Sequence, residues 1–586
     1  MPNNFLSEAR VQTIKWTSVL AIIAAIAWQV FLQSPGTRCR CFPGDECWPS
    51  SADWAAFNQS VHGALIATVP LASPCHDTFP GVSYDAEKCA DIQANWLRPK
   101  LHEKTAHSPM AAFFANMSCD PFTPREAPCQ IGAYVRYAVN ASDAADYKKT
   151  IAFAKARNIR LVIRDTGHDY LGKSTGAGAL ALWTHYIKGT DIFDYSSPSY
   201  NGKAMKIGAG VVAGEAQRAA RAQGYVVVEG NCETVGIAGG YSQGGGTSPL
   251  ASKFGLGSDQ VLEWEVVIAD GTLLTATPSR NRDLYWALSG GGGGTYGAVL
   301  SMTIKLHKNM PTGAVTLSFT EATETFWDIL KAFVMNLPAA VEAGATLYWV
   351  VVPGNVFSMP QTYFPNGTAA NLTHILQPTL QALDDNGIQY DFTQQDFPTF
   401  QDAYNTLNPT MNISAINLGG RIIPRSLVAT DGSASSLVGA IRSMTQNLAA
   451  FAGVTMDVSR PPAFPNAVHP AWRDSIFLAF YGLQGSLTFI YDRQYDHTNY
   501  TANIAAQRVV NDVLSPPLEK LTPGGGAYLN EANFEQANWQ QTFYGHNYPK
   551  LLAIKREYDP GNVFWGKTAV GSEALGVAAD GRLCQV

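Results

Sequence analysis

Past residue 130 the apolar positions keep two alternating rhythms. Over residues 143–157, Tyr147, Ile151 and Ala154 recur on one helical face, with Ser142 placed as the N-cap. The aliphatic run 159–163 that follows has the composition and length of a strand. The alternation returns further on: residues 205–212 predict a strand, 213–223 a helix closed by Gly224, and 225–228 another strand. Residues 263–269 and 299–306 predict two more. From about residue 313 a second unit begins, with strands expected at 346–352, 476–481 and 486–491 and helices at 324–336 and 437–450. Strands mixed with covering helices give an α+β fold, its second unit built on an antiparallel sheet. Residues 36–129 show little periodicity and read as loop-rich, and the chain from 523 onward is rich in glycine and aromatics.

The N-terminus follows other rules. Residues 16–32 are uncharged and end at Pro35-Gly36, and Ala25-Ile26-Ala27 offers a small-x-small cleavage site. Residues 1–35 are therefore expected to be a signal peptide or a membrane anchor, and the flanking charges leave both open. The remainder carries Asn-x-Ser/Thr acceptors at Asn58, Asn116, Asn140, Asn366, Asn371, Asn412 and Asn499. Cys39, Cys41, Cys47, Cys75, Cys89, Cys119 and Cys129 cluster ahead of residue 130, while Cys232 and Cys584 stand apart. Acceptors and clustered cysteines together predict a glycosylated, disulfide-tied protein, secreted or held on a membrane facing the lumen or exterior. Zinc at Cys39, Cys41 and Cys47 lacks further ligands at the right spacing, and no metal site is expected.

Composition narrows the function. The 586 residues carry 41 Lys and Arg against 47 Asp and Glu, a net charge of −6 with no basic stripe, so binding of nucleic acid through its phosphates is not expected. With 46% apolar and 11% aromatic residues the chain can bury a sizeable core, which excludes a disordered or fibrous protein. Its 52 Gly and 33 Pro argue for many turns and against a helical bundle.

Three glycine loops compete for attention. Residues 290–297 contain a formal G-x-G-x-x-G at Gly292, Gly294 and Gly297. A nicotinamide site needs a helix next and an acid about 20 residues on. Here the following stretch is strand-like, and no Asp or Glu lies between Asp283 and Glu321. The other two loops, 164–172 (Arg164, Asp165, Thr166, Gly167, His168, Asp169, Tyr170, Leu171, Gly172) and 230–246, offer backbone N–H groups suited to a pyrophosphate. Each also carries one reactive side chain, His168 in the first and Cys232 in the second.

These loops resemble those of the berberine-bridge-enzyme-like FAD-linked oxidases, in the vanillyl-alcohol-oxidase superfamily with its PCMH-type FAD-binding domain, and its fungal secreted branch in particular. Residues 164–172 resemble the R-x-x-G-H loop whose His bonds the flavin 8α-methyl, and 230–240 the G-x-C-x-T-V-G-x-x-G-G loop whose Cys bonds flavin C6. Asp259-Gln260-Val261, Asp270-Gly271, residues 283–287, 290–297, 544–551 and 555–564 follow in the family's order. Asp165-Thr166 and Asp169 stand where many relatives carry a second glycine and a serine.

The resemblance implies FAD tethered through both His168 and Cys232. Arg164, Asp165, Thr166, Gly167, Gly172, Gly236, Gly239, Gly240, Tyr548 and Asn562 are implied to be its further contacts. It also implies a division into a Cys-rich segment at 36–129, the FAD domain at 130–312, a substrate domain at 313–522, and a tail, 523–586, that returns to the FAD domain. The implied reaction takes hydride from an alcohol or secondary-metabolite intermediate to flavin N5, with O₂ as acceptor giving H₂O₂, in a monomer acting on small molecules. Tyr528 and Glu531 are the candidate catalytic residues, from a segment resembling a Y-x-N-Y stretch in sugar-oxidising relatives where Glu531 replaces the second Tyr. A secreted carbohydrate oxidase and a non-catalytic flavin-binding protein are the alternatives. Trp183, Thr184 and His185 read as structural. With Cys232 reserved for flavin, an odd cysteine is left in the N-terminal cluster, and Cys584 is its expected partner.

Overall fold

The computed structural model describes residues 39–198, 200–408, 412, 418–483 and 496–586. The leader at 1–35 and the strand expected at 486–491 lie outside them. Among the described residues no helix is long and apolar enough to cross a membrane.

The first half holds two sheets. One runs Leu65–Ala67, Tyr137–Asn140, Leu180–Trp183, Leu161–Arg164, antiparallel at the first pairing and parallel at the other two. Helix Ala144–Ala156 packs Tyr147, Ile151 and Ala154 into the same core as Leu161, Leu180 and Leu182, the face the periodicity picks out. Its N-cap is Asp143, not Ser142: the Asp143 carboxylate accepts from the N–H groups of Ala145 and Asp146, while the Ser142 hydroxyl donates to Asp146 at 2.9 Å. An acid at this position also complements the helix dipole. The second sheet is antiparallel, in the order Thr190–Ser197, Tyr200–Gly208, Ala298–Lys305, Val261–Val267, Leu273–Ala276. Helix Ala213–Arg221 lies on its core, and Gly224 follows at φ +78°, a left-handed turn that suits glycine.

The second half is a seven-stranded antiparallel sheet, in the order Tyr390–Phe397, Thr312–Thr320, Val356–Pro365, Thr346–Val352, Ala449–Thr455, Ser475–Leu483, Gly419–Pro424. Helices Thr325–Glu342, Ala369–Asp385 and Asp431–Gln446 bury their apolar faces against it. All seven residues of Ala449–Thr455 are buried. That explains one error: residues 449–450 read as helix because a doubly buried strand shows no alternation and alanine favours helix. The helix ends at Gln446, Leu448 turns the chain at φ +60°, and pairing with two neighbouring strands overrides propensity.

The cysteines pair as Cys39–Cys584, Cys41–Cys47, Cys75–Cys89 and Cys119–Cys129, leaving Cys232 free. The expected bridge to Cys584 is present, and the thiols of the discarded zinc reading are all consumed in disulfides. Arg40 reinforces the junction of the termini, donating to Asn158 Oδ1 and to the carbonyls of Gly561 and Asn562. The tail packs back onto the first half. Tyr544, Leu551 and Ile554 share a core with Trp264 and Met302, and buried Lys555 donates to Thr295 O at 2.7 Å.

Candidate flavin site

Strand Leu161–Arg164 delivers the first loop. The buried Arg164 guanidinium donates to the carbonyls of Ser108 (2.7 Å), Thr105 (3.0 Å), Thr166 (3.2 Å) and His102 (3.3 Å), bolting the disulfide-rich segment to the loop. A Cβ on Gly167, at φ +89°, would lie 2.6 Å from that guanidinium, so only glycine makes the turn that presents His168. Helix Ala213–Arg221 and the turns after it bring in the second loop, whose Thr234 and Cys232 meet the histidine. His168 Nε2 lies 2.6 Å from Thr234 Oγ1 and 3.6 Å from Cys232 Sγ, and Sγ lies 3.3 Å from the same hydroxyl. The two side chains that the sequence places 64 positions apart are thus in contact.

Electrostatics keeps both neutral. Burial pushes the His168 imidazole down to about 4, so it carries no proton on its second nitrogen at neutral pH. Burial pushes the Cys232 thiol up, opposed by its hydrogen bonds to Thr234 and assisted by the nearby carboxyls of Glu233 and Glu103. Asp165 underlies the pair: burial raises its carboxyl, Oδ1 lies 3.2 Å from His185 Nδ1, and Oδ2 has no partner. A Cβ on Gly236 would fall 1.7 Å from that Oδ2, so any larger residue there displaces the Asp165 carboxyl.

The tail closes the site. Asn530 Nδ2 donates to Gly240 O at 2.7 Å and to the Tyr528 hydroxyl at 2.9 Å, and the Gly246 N–H also donates to that hydroxyl at 3.1 Å. Tyr528 packs on Trp472 beside Val454, Leu478 and Phe480, on the seven-stranded sheet. Burial, then the neighbouring Glu531, raises its phenol. Glu531 is pushed up to about 7 by burial and then by Cys232 close by. The cysteine loop is tied to the same sheet, since Tyr404 donates to Gly230 O at 3.0 Å and Asn231 to Gln361 at 3.2 Å.

Not every expected residue joins this cluster. Arg164 directs its donors to loop carbonyls, and its Nη1 is buried without a partner. Thr166 Oγ1 caps the His168 N–H at 3.5 Å. Gly172 turns at φ +76° under the Phe114 ring. Tyr548 donates to Glu573, and Asn562 holds a turn at φ +46° with its carbonyl on Arg40. Thr234 and Asn530 stand inside the G-x-C-x-T and Y-x-N-Y stretches with no role assigned to their side chains, and Glu103 carries no signal at all. Glu103 ends helix Pro99–Glu103, which Lys100 pins to Glu233 at 2.5 Å. Its Oε2 is buried without a partner, and its carboxyl is raised by burial, opposed by the ammonium groups of Lys188 and Lys100. No spacing in that aperiodic segment could have signalled it. Of the glycosylation acceptors, Asn116, Asn366, Asn371, Asn412 and Asn499 are exposed, while Asn58 and Asn140 are half-buried.

The residues fit FAD. A Cβ on Gly239 would meet nothing within 4 Å, and one on Gly240 only Asn530, which describes an open cradle. Asp165 Oδ2, Ser242 Oγ and Gln243 Oε1 are buried along these loops without partners. An imidazole and a thiol stand together beside that cradle. Fold and site define a flavin-dependent oxidoreductase.

Comparison with known proteins agrees. The FAD binding domain family matches residues 135–277, and the berberine and berberine-like family matches 527–571. The FAD-linked oxidoreductase sor8 of Hypocrea jecorina is 46% identical over 97% of this chain and 97% of its own. The crystal structure of the VAO-type flavoprotein MtVAO615 from Myceliophthora thermophila C1 superposes with a TM-score of 0.89 at 41% identity, covering 94% of this chain and all of that one. The glucooligosaccharide oxidase of Acremonium strictum shares the fold, with a TM-score of 0.63 at 19% identity, covering 75% of this chain and 91% of that one. The chain belongs to the FAD-linked oxidoreductases of the vanillyl-alcohol-oxidase type.

Proposed function

We propose that the protein oxidises an alcohol carbon of a small secondary-metabolite intermediate, with FAD tethered through His168 and Cys232 and O₂ as acceptor. FAD, held by the two glycine loops, would supply the hydride acceptor and the route for electrons to O₂. The protein supplies position and proton handling. The observation that carries the reading is Glu531, next to the Asn530 that binds the Tyr528 hydroxyl, its carboxyl raised to about 7 by burial and then by Cys232, with no hydrogen bond on its oxygens among the described residues. A base of that strength accepts a substrate hydroxyl proton near neutral pH. Tyr528, gripped by two donors and raised by burial, orients the substrate oxygen instead of taking its proton.

Contact between His168 and Cys232 supports two tethers to one ring, since each reaches the other within 3.6 Å. Residues 130–312 form the FAD unit, 313–522 the substrate unit and 523–586 the returning tail. Four disulfides and five exposed acceptors support a secreted glycoprotein. The chain acts as a monomer. Carbohydrate oxidation is the second reading, favoured by the shared fold of the glucooligosaccharide oxidase. A panel of alcohols and oligosaccharides scored by peroxide release tests both: turnover of an alcohol alone supports the first, of a sugar alone the second. Wild-type protein that oxidises no substrate and releases no peroxide would contradict an oxidase altogether.

A further inference from the structure

The contact between the two loops is made through a third residue. Thr234 is 2% exposed and sits two positions after Cys232, in a turn closed by the Val235 N–H on Cys232 O at 3.2 Å. Its hydroxyl is 2.6 Å from His168 Nε2 and 3.3 Å from Cys232 Sγ. His168 Nδ1, by contrast, receives no hydrogen bond among the described residues.

We infer that Thr234 is a positioning residue for cofactor attachment: its hydroxyl holds the Nε2–H of His168 and leaves Nδ1 as the nitrogen free to bond. The inference rests on the covalent reading above. A neutral imidazole has one N–H and one lone pair, and a hydroxyl can accept one hydrogen bond while donating another. With Nε2–H donating to Oγ1, the threonine proton points to the sulfur, and the Nδ1 lone pair stays free. Burial that keeps the ring neutral preserves this arrangement across neutral pH.

The chemistry balances. At each attachment one protein hydrogen, N–H or S–H, and one flavin C–H are exchanged for an N–C or S–C bond. The two electrons and two protons released reduce O₂ to H₂O₂. The imidazole proton released is the one on Nε2, which the Thr234 hydroxyl holds until the N–C bond forms. Without that hydroxyl only the weakly bonding Cys232 sulfur, 3.6 Å from Nε2, is left to hold the tautomer, whereas the thiol needs no tautomer and attaches on its own.

Secreted wild-type, Thr234→Val and Thr234→Ser proteins, digested with trypsin and mapped by mass, test this. Wild type and Thr234→Ser should carry flavin on both loops. In Thr234→Val the His168-linked fraction should fall at least tenfold while the Cys232 link persists, a selective loss that general unfolding would not produce. Thr234→Ala serves as the second hydroxyl-free variant should valine not fold, with the same expectation. Flavin on both loops in the hydroxyl-free variants at the wild-type fraction overturns the role of Thr234 alone. Wild-type protein without either link overturns the covalent reading itself.

Discussion

Glu531→Gln exchanges a titrating carboxyl for an amide of the same shape, and its consequences can be worked from the site. With the carboxyl at about 7, the ionised fraction is near one half at pH 7. From pH 6 to pH 8 it climbs about tenfold, so kcat/KM of the wild type should climb with it. An amide accepts no proton, and loss of a positioned base costs about 10²–10⁴ in rate, or roughly 3–5 kcal/mol of barrier. Stability should move the other way. A carboxyl raised from 4.5 binds more protons folded than unfolded, so folding weakens as pH rises between those values. The loss is at most about 3 kcal/mol, and the amide does not suffer it. The variant should therefore melt higher than wild type at pH 8, equally at pH 4, and turn over slowly with a flat pH profile. Initial rates of peroxide release on the substrate found by the panel, beside melting curves at the two pH values, measure both. A Glu531→Gln protein that keeps the wild-type rise in kcat/KM from pH 6 to 8 refutes the assignment of the base.

Gly236→Ala should lower FAD content and Tm, because its methyl, 1.7 Å from Asp165 Oδ2, displaces that buried carboxyl. Gly439→Ala, on the exposed face of helix Asp431–Gln446 with open space around it, should instead stabilise by about 0.5–1 kcal/mol in denaturant unfolding. Cys584→Ser releases the link across 545 residues between the two ends of the chain, and should cost about 2–5 kcal/mol by the same measurement. Non-reducing peptide mapping of wild type should find Cys39 joined to Cys584, and a free Cys584 would contradict the fold.

What the sequence makes legible is what depends on local order. Strand Thr346–Val352 is readable at both ends because β-branched and aromatic residues fill it between turn residues. The loops of His168 and Cys232 are readable because glycines such as Gly167, in a left-handed turn, and Gly236, packed on Asp165, sit at fixed offsets from one reactive side chain. Cys584 follows from parity once Cys232 is set aside. Roles that come from three-dimensional neighbours are silent, even where the residue itself stands in a motif. Thr234 matters only because His168 folds onto it, Asn530 because the tail returns to Gly240, and Glu103 because Arg164 draws residues 102–108 against the flavin loop. Strand Ala449–Thr455 is hidden for a related reason: burial on both faces erases the alternation that marks a strand.

The central claim is that one FAD is held by both loops. Purified protein precipitated in acid and digested with trypsin decides it, because cleavage places His168 in residues 165–173 and Cys232 in residues 222–253. A yellow pellet and one species whose mass equals both peptides plus FAD is the result expected. A colourless pellet with all the FAD in the supernatant would reduce the two loops to a phosphate cradle and contradict the account.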